Sequence, residues 1–130
     1  MKISSVNGRP VNLDIKTIEL PITAYASILH RVTGILLCAS VLVLVWLLQK
    51  SLTSEADFLQ VQQMLSSSFM KFLMFLILAP FIYHLVAGVR HLVMDVGIGE
   101  SLEGGQLGAK IVFAASAVLI LLTGVWLWGV

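Results

Sequence analysis

The chain has 130 residues, of which 58% are hydrophobic and only 12% are charged, and its mean hydropathy is +0.99. A soluble domain carries about 25% charged residues, so this composition excludes an ordinary soluble protein. The net charge is +1 and no cluster of lysines or arginines occurs, so nucleic-acid binding is not expected.

Residues 1–20 are predicted to form a polar N-terminal arm on the cytoplasmic side. The arm lacks the apolar segment of a cleavable signal peptide, and its acidic residues argue against a mitochondrial transit peptide. Its charged residues are Lys2, Arg9, Asp14, Lys16 and Glu19. The remainder, 21–130, is predicted to be a single membrane-anchor domain.

Three apolar stretches without Lys, Arg, Asp or Glu follow the arm, at 32–48, 72–89 and 111–130. About 20 apolar residues span the hydrocarbon core of a bilayer. We therefore predict an all-α membrane protein with three transmembrane helices, spanning about 24–48, 70–90 and 109–130. Pro21 is suited to open the first helix. The first loop, 49–71, is expected to contain a short surface helix, and the second loop is expected over 90–110.

The distribution of lysine and arginine predicts the orientation of the spans. With the N-terminus in the cytoplasm, six cations lie inside and two lie outside, and the C-terminus is periplasmic. The inner set is Lys2, Arg9, Lys16, Arg31, Arg90 and Lys110, and the outer set is Lys50 and Lys71. The three tryptophans fall at the outer helix ends, where an aromatic belt is expected. A multi-pass protein of the bacterial inner membrane fits this pattern best.

His84 is the most informative residue, because it lies inside the second apolar stretch. An ionisable side chain at that depth is costly and indicates a functional site, and imidazole is a common axial ligand of haem iron. Gly88 and His91 follow on the same helix face, and Gly88 is expected to leave space for a flat macrocycle. The alternative is a histidine that only bonds a neighbouring helix. The residues alone leave both readings open.

A second group, Ser27, His30, Arg31 and Gly34, has the offsets of one helical face at the start of the first helix. It offers donors for an anion or a carbonyl, such as a haem propionate or a quinone oxygen. The alternative is a topology anchor and an interhelical hydrogen bond. His30 is expected nearer the surface than His84.

One axial ligand is missing from this arrangement. His84 and His91 project from the same face, so they cannot hold one iron between them. The sequence therefore predicts a partner subunit that supplies the second histidine. Asp95, one turn beyond His91, is expected to pair with His91 or Arg31, or to be an ordinary interfacial charge.

These residues resemble a known family. Residues 27–34 read Ser-Ile-Leu-His-Arg-Val-Thr-Gly and match the S-x-x-H-R-x-x-G signature of the cytochrome b membrane-anchor subunit of succinate dehydrogenase, respiratory complex II. Residues 84–95 resemble the family's second signature, and residues 9–13 resemble its N-terminal arm. The three motifs occur in order on a three-span chain, so the resemblance covers nearly the whole sequence.

The resemblance implies a four-subunit complex in which this chain has no activity alone. A flavoprotein with FAD would oxidise succinate, an iron–sulfur subunit would carry electrons, and two membrane anchors would share one haem b. His84 would be an axial ligand, and His30, Arg31 and His91 would lie near the propionates. Ser27 and Arg31 would line the ubiquinone site, and Asp95 is a candidate proton relay.

Three other functions remain as alternatives at this stage. The chain could be a structural anchor without haem, the anchor of a related fumarate reductase, or a small transport subunit that uses His84 and Arg31 as an ion path. Composition and spacing do not distinguish the quinone species, the organism or the direction of turnover.

Overall fold

The computed structural model describes residues 4–6, 9–11 and 17–129. The first two segments are short antiparallel strands, β1 (Ser4–Val6) and β2 (Arg9–Val11). Four helices follow, and their bounds are α1 (Ile22–Thr53), α2 (Glu55–Leu65), α3 (Ser68–Asp95) and α4 (Leu102–Gly129). The predictions made for the rest of the N-terminal arm lie outside the described residues.

Helix α1 begins directly after Pro21, as the sequence predicts. The Pro21 carbonyl accepts the backbone N–H of Ala24 at 2.9 Å. The helix has 32 residues, which corresponds to about 48 Å of length at the rise of an α-helix. Since a hydrocarbon core is about 30 Å thick, α1 extends well past the membrane at its ends or crosses it at a tilt.

Helix α2 is the short helix expected within the first loop. Ser54 caps its N-terminus, because its hydroxyl accepts the backbone N–H of Asp57 at 3.1 Å. The same hydroxyl donates to the Asp57 carboxylate at 2.7 Å. Val61 is the buried residue of α2 and holds the helix against the long helices.

Helix α3 runs unbroken through Pro80 and ends at Asp95. The second loop is therefore shorter than the predicted 90–110, because α3 and α4 both continue beyond their apolar stretches. Only 96–101 separates them. Gly97 and Gly99 have φ angles of 84° and 80° in this turn, a region that glycine adopts without a side-chain clash.

Helices α1 and α4 pack along rows of mostly small residues. In α1 the buried positions recur every seven residues, at Ala26, Thr33, Ser40 and Leu47. In α4 they are Gly105, Ala109, Val112 and Ser116. Small side chains at such positions allow helix backbones to approach closely, which is how helices associate in lipid.

Tyr83 belongs to this interior. It is 7% exposed and packs with Ala87 and Val112, and its hydroxyl donates to the Ala26 carbonyl at 3.1 Å. A buried tyrosine hydroxyl needs such a partner, and here the bond ties α3 to α1.

The outer surface of the bundle is apolar. Helices α1, α3 and α4 each contain an 18-residue window of mean hydropathy 2.2 to 2.3, and at most 17% of any window is buried inside the protein. In water such exposure would be unfavourable, whereas lipid accommodates it. The prediction of an all-α multi-pass protein with three spans is confirmed, and the orientation of the termini stays a prediction.

Candidate functional site

Two histidines from different helices form the centre of the site. His84 of α3 and His30 of α1 stack face to face, with ring centroids 4.0 Å apart and ring planes 16° from parallel. The His30 ring also lies beside Gly88, one turn beyond His84 along α3, and the expectation that His30 lies nearer the surface stays a prediction. Both histidines are half-buried.

The backbone of α1 fixes the protonation pattern of His84. Its Nδ1 lies 3.0 Å from the His30 carbonyl oxygen, which can only accept a hydrogen bond. Nδ1 is therefore assigned the proton, and the neutral ring presents the lone pair of Nε2. Thr33 lies beside this bond, since its hydroxyl donates to the His30 carbonyl at 2.9 Å and is 3.3 Å from His84 Nδ1.

Gly34 is where α1 makes room for the His84 ring. A Cβ atom at Gly34 would lie only 3.1 Å from His84 Cε1 and 3.6 Å from Nδ1. Glycine therefore permits the close approach that brings the ring to the His30 carbonyl. Gly34, the last residue of the first signature, therefore makes room for His84, the first residue of the second signature.

Gly88 lies beside the His30 ring. A Cβ atom there would be 3.7 Å from His30 Nε2, an ordinary van der Waals contact. The expectation that this glycine leaves space for a macrocycle stays a prediction.

The third histidine completes a cluster of imidazoles. The His91 ring centroid is 5.1 Å from that of His30, with the ring planes tilted by 45°. His30 therefore lies between His84 and His91. Its Nε2 is buried and has no hydrogen-bond partner within the protein. A buried polar nitrogen without a partner is costly, so His30 Nε2 is the unsatisfied atom of this cluster.

The remaining predicted residues lie away from this cluster. Arg31 and Asp95 are exposed, and Ser27 is half-buried. Within residues 17–129, Asp95 forms no ion pair with His91 or Arg31, which leaves the alternative of an ordinary interfacial charge. Exposed polar side chains on an anchor are available to groups outside it.

Sequence reasoning missed two residues that organise the site. Thr33 occupies an unassigned position of the first signature, yet it is buried beside His84. Arg90 was counted only as a topology charge. Arg90 donates from Nη2 to the Gly105 carbonyl at 3.2 Å. A Cβ atom at Gly108 would lie 3.0 Å from Arg90 Nε. The spacing of Gly104, Gly105 and Gly108 was the available signal.

Metal chemistry at this site would need ligands from elsewhere. Among the residues that the structure describes, no three His, Cys, Asp or Glu side chains converge on a point. Because the rings of His84 and His30 are stacked, they also cannot bind one ion from opposite sides. The geometry suits a single axial ligand to a metal that arrives with its own equatorial ligands.

Three apolar helices with a histidine cluster between the first two spans define a small, multi-pass membrane-anchor protein. The sequence profile of the succinate dehydrogenase/fumarate reductase transmembrane subunit family matches residues 5–123. The chain belongs to this family and is a membrane-anchor subunit, which implies assembly with other subunits of such a complex.

The individual proteins that this chain resembles have names that agree with this family. The chain is 37% identical over 121 residues to the succinate dehydrogenase cytochrome b556 subunit of Coxiella burnetii, covering 92% of this chain and 97% of that one. It is 34% identical to the corresponding subunit of Paracoccus denitrificans, over 89% of each chain. The cytochrome b560 subunit of Reclinomonas americana is 33% identical, with 88% of this chain and 83% of that one covered. The predicted inner-membrane location accords with this family and with the three spans.

Proposed function

We propose that this chain is the haem b-binding anchor of a succinate dehydrogenase and forms part of its ubiquinone-reduction site. The observation that carries the proposal is the contact of 3.0 Å between His84 Nδ1 and the His30 carbonyl. Histidines that bind a metal regularly donate their other ring N–H to such an acceptor, which fixes the tautomer and the ring orientation. A histidine with only a structural role in the membrane has no need of a second ring nitrogen that is free of hydrogen bonds.

His84 is the axial haem ligand in this proposal, and it acts through Nε2. Haem provides the equatorial ligands that the described residues do not supply, and when bound it contributes a one-electron redox centre. A second anchor subunit contributes the other axial histidine, because the stacking at 4.0 Å removes His30 from that role.

In this proposal, the haem propionates are bound by His30, Arg31 and His91. The orphaned Nε2 of His30 supports this assignment, because a carboxylate would satisfy it. The exposed guanidinium of Arg31 offers a planar set of donors that matches a carboxylate. These groups would hold the cofactor with its charged edge toward the cytoplasmic side, where the predicted topology puts them.

Ubiquinone is assigned to the exposed side of α1. Ser27 and Arg31 provide donors for a quinone carbonyl, and Asp95 is a candidate proton relay. The exposure of Arg31 and Asp95, with Ser27 half-buried, supports a site completed by the iron–sulfur subunit and the second anchor. FAD and the iron–sulfur clusters belong to the partner subunits. An unaltered pH profile of quinone reduction in Asp95→Asn would remove Asp95 from this role.

The ligand assignment is tested by His84→Ala in the complete complex. We expect the b-type bands of the reduced-minus-oxidised spectrum to be lost, while the anchor still inserts and the flavoprotein still attaches. Leu85→Ala is the control, because it truncates an exposed side chain at the neighbouring position of the same helix without removing a proposed haem contact. Retained b-type bands in His84→Ala would refute the assignment, and their absence from the wild-type complex would leave a structural anchor.

The quinone assignment is tested by Arg31→Ala. We expect slower ubiquinone reduction with succinate oxidation by a soluble artificial acceptor preserved, because only the membrane site loses a donor. Lys110→Ala removes another exposed cation and should leave both rates unchanged. An equal fall of both activities in Arg31→Ala would indicate an assembly defect instead.

A fumarate reductase anchor is the second candidate, since the family profile includes both enzymes. The relatives named above are succinate dehydrogenase subunits, which favours the first candidate. Comparing succinate oxidation with quinol-driven fumarate reduction in the purified complex separates the two.

A further inference from the structure

A second site lies in the half of the bundle away from the histidine cluster. A cavity of about 750 Å³ opens between α1, α3 and the end of α4, with the end of α2 beside it. Binding pockets for small molecules are typically of this size. Lys71, at one edge of the cavity, precedes His84 by thirteen residues, which is about 20 Å along a helix. None of the residues that line the cavity belongs to the histidine cluster, although Phe81, at its other end, precedes His84 by only three residues.

Most of the cavity wall is apolar and accessible from the side of the bundle. Leu37, Val41 and Leu44 line it from α1, and Phe81 lines it from α3. Val41 is 52% exposed and Phe81 is 47% exposed, so the wall is open toward the surrounding membrane rather than enclosed. A hydrocarbon chain could enter such a groove from the bilayer.

Except for Ser40 of α1, whose hydroxyl donates to the Leu36 carbonyl, the polar residues of the cavity belong to the end of α2, the turn after it and the start of α3. They are Gln62, Ser66 and Lys71. Lys71 is half-buried, and within residues 17–129 it forms no ion pair. It also lies in the first turn of α3, at the positive end of the helix dipole, where a cation is unfavourable unless an anion is close. The cavity thus has one cationic end and one apolar body.

The length of the cavity matches the thickness of the hydrocarbon region in one leaflet of a membrane. From Lys71 to Phe81 the wall follows α3 for ten residues, which is about 15 Å and half of a hydrocarbon core of about 30 Å. We propose that this cavity binds an anionic phospholipid, with its phosphate at Lys71, Gln62 and Ser66 and an acyl chain along α1 and α3. A zwitterionic lipid brings the same phosphate together with a cation of its own, so its zero net charge leaves the charge of Lys71 uncompensated.

The complete complex, reconstituted with either phosphatidylglycerol or phosphatidylcholine and then washed with detergent, tests the proposal. Native mass spectrometry counts the lipids that remain. We expect one phosphatidylglycerol to survive on the wild type and about fivefold weaker retention in Lys71→Gln, the effect of one cation on an anionic lipid. Lys50→Gln is the matched control, because Lys50 lines a separate surface pocket with Trp46 and Asp57. It should retain lipid like the wild type.

Leu44→Trp provides an independent arm, because its side chain would fill the apolar body and expel the acyl chain. If that variant does not assemble, the comparison of Lys71→Gln with Lys50→Gln decides alone. Equal retention in those two variants would overturn the proposal, as would equal retention of phosphatidylcholine. Retention of ubiquinone in place of lipid, or efficient cross-linking of Val41→Cys to the second anchor subunit, would assign the cavity to another occupant and overturn it as well.

Discussion

At the scale of single residues, the site depends on a contact that runs from a side chain of one helix to the backbone of another. His84 is positioned by the His30 carbonyl, and Gly34 permits the approach. Thr33 lies beside the same bond. Sequence spacing identified the histidines, because an imidazole in an apolar stretch is conspicuous. It did not identify the acceptor, since every residue has a carbonyl and only the packing of α1 on α3 selects one.

Gly34→Ala tests this arrangement. The new Cβ would lie 3.1 Å from His84 Cε1, so the ring must move by a few tenths of an ångström against its bond to the His30 carbonyl. We expect haem binding to weaken by about 1–3 kcal/mol, the usual cost of overpacking. Haem titration of the assembled apo-complex measures it. Gly129→Ala is the control, because a Cβ there meets nothing within 4 Å. Equal haem affinity in both variants would contradict the positioning role of Gly34.

At the scale of elements, the helices extend beyond what hydropathy delimits. Apolar stretches mark the part of a helix that lies in hydrocarbon, whereas a helix continues until a cap or a glycine turn ends it. Helix α3 therefore reaches Asp95, past the last apolar residue of its span, and the turn at Gly97 and Gly99 follows. The sequence did contain the signals for α2, because Ser54 and Asp57 have the spacing of an N-terminal cap.

Ser116 offers a test of the packing between elements. It is 2% exposed, and its hydroxyl is buried without a hydrogen-bond partner. Removing such a group relieves a desolvation penalty, so we expect Ser116→Ala to stabilise the complex by about 1 kcal/mol. Thermal unfolding in one detergent measures the change.

Ser40→Ala is the matched control for Ser116→Ala. Ser40 is also buried, but its hydroxyl donates to the Leu36 carbonyl at 2.8 Å. Its removal should therefore bring no gain in stability. An equal stabilisation of both variants would mean that the loss of the hydroxyl from Ser116 has no special effect.

At the scale of the whole molecule, the exposed surface is the informative feature. Large apolar side chains cover the outside of the bundle, as lipid and neighbouring subunits require. The polar residues assigned to ubiquinone lie on that outside and not in the interior. A single anchor is therefore incomplete by construction, and its function belongs to the assembled complex.

The topology is tested by cysteine labelling with a membrane-impermeant maleimide in whole cells. After replacement of the single Cys38, we expect Gln63→Cys to be labelled and Glu100→Cys to be protected until the cells are lysed. The reason is the predicted excess of cations on the side of the second loop. The reverse pattern would place the N-terminus outside, together with the histidine cluster.

The sequence by itself determined that this protein is a three-span membrane anchor and which family it belongs to. Those properties follow from composition, from the length of apolar stretches and from local spacing. Composition and apolar length directly decide which segments enter lipid. Only the tertiary structure decided that His30 stacks on His84, that Gly88 lies beside His30 and that Arg90 lies over α4. These contacts depend on the rotation and crossing of whole helices, and periodicity along one helix does not specify which face meets a neighbour.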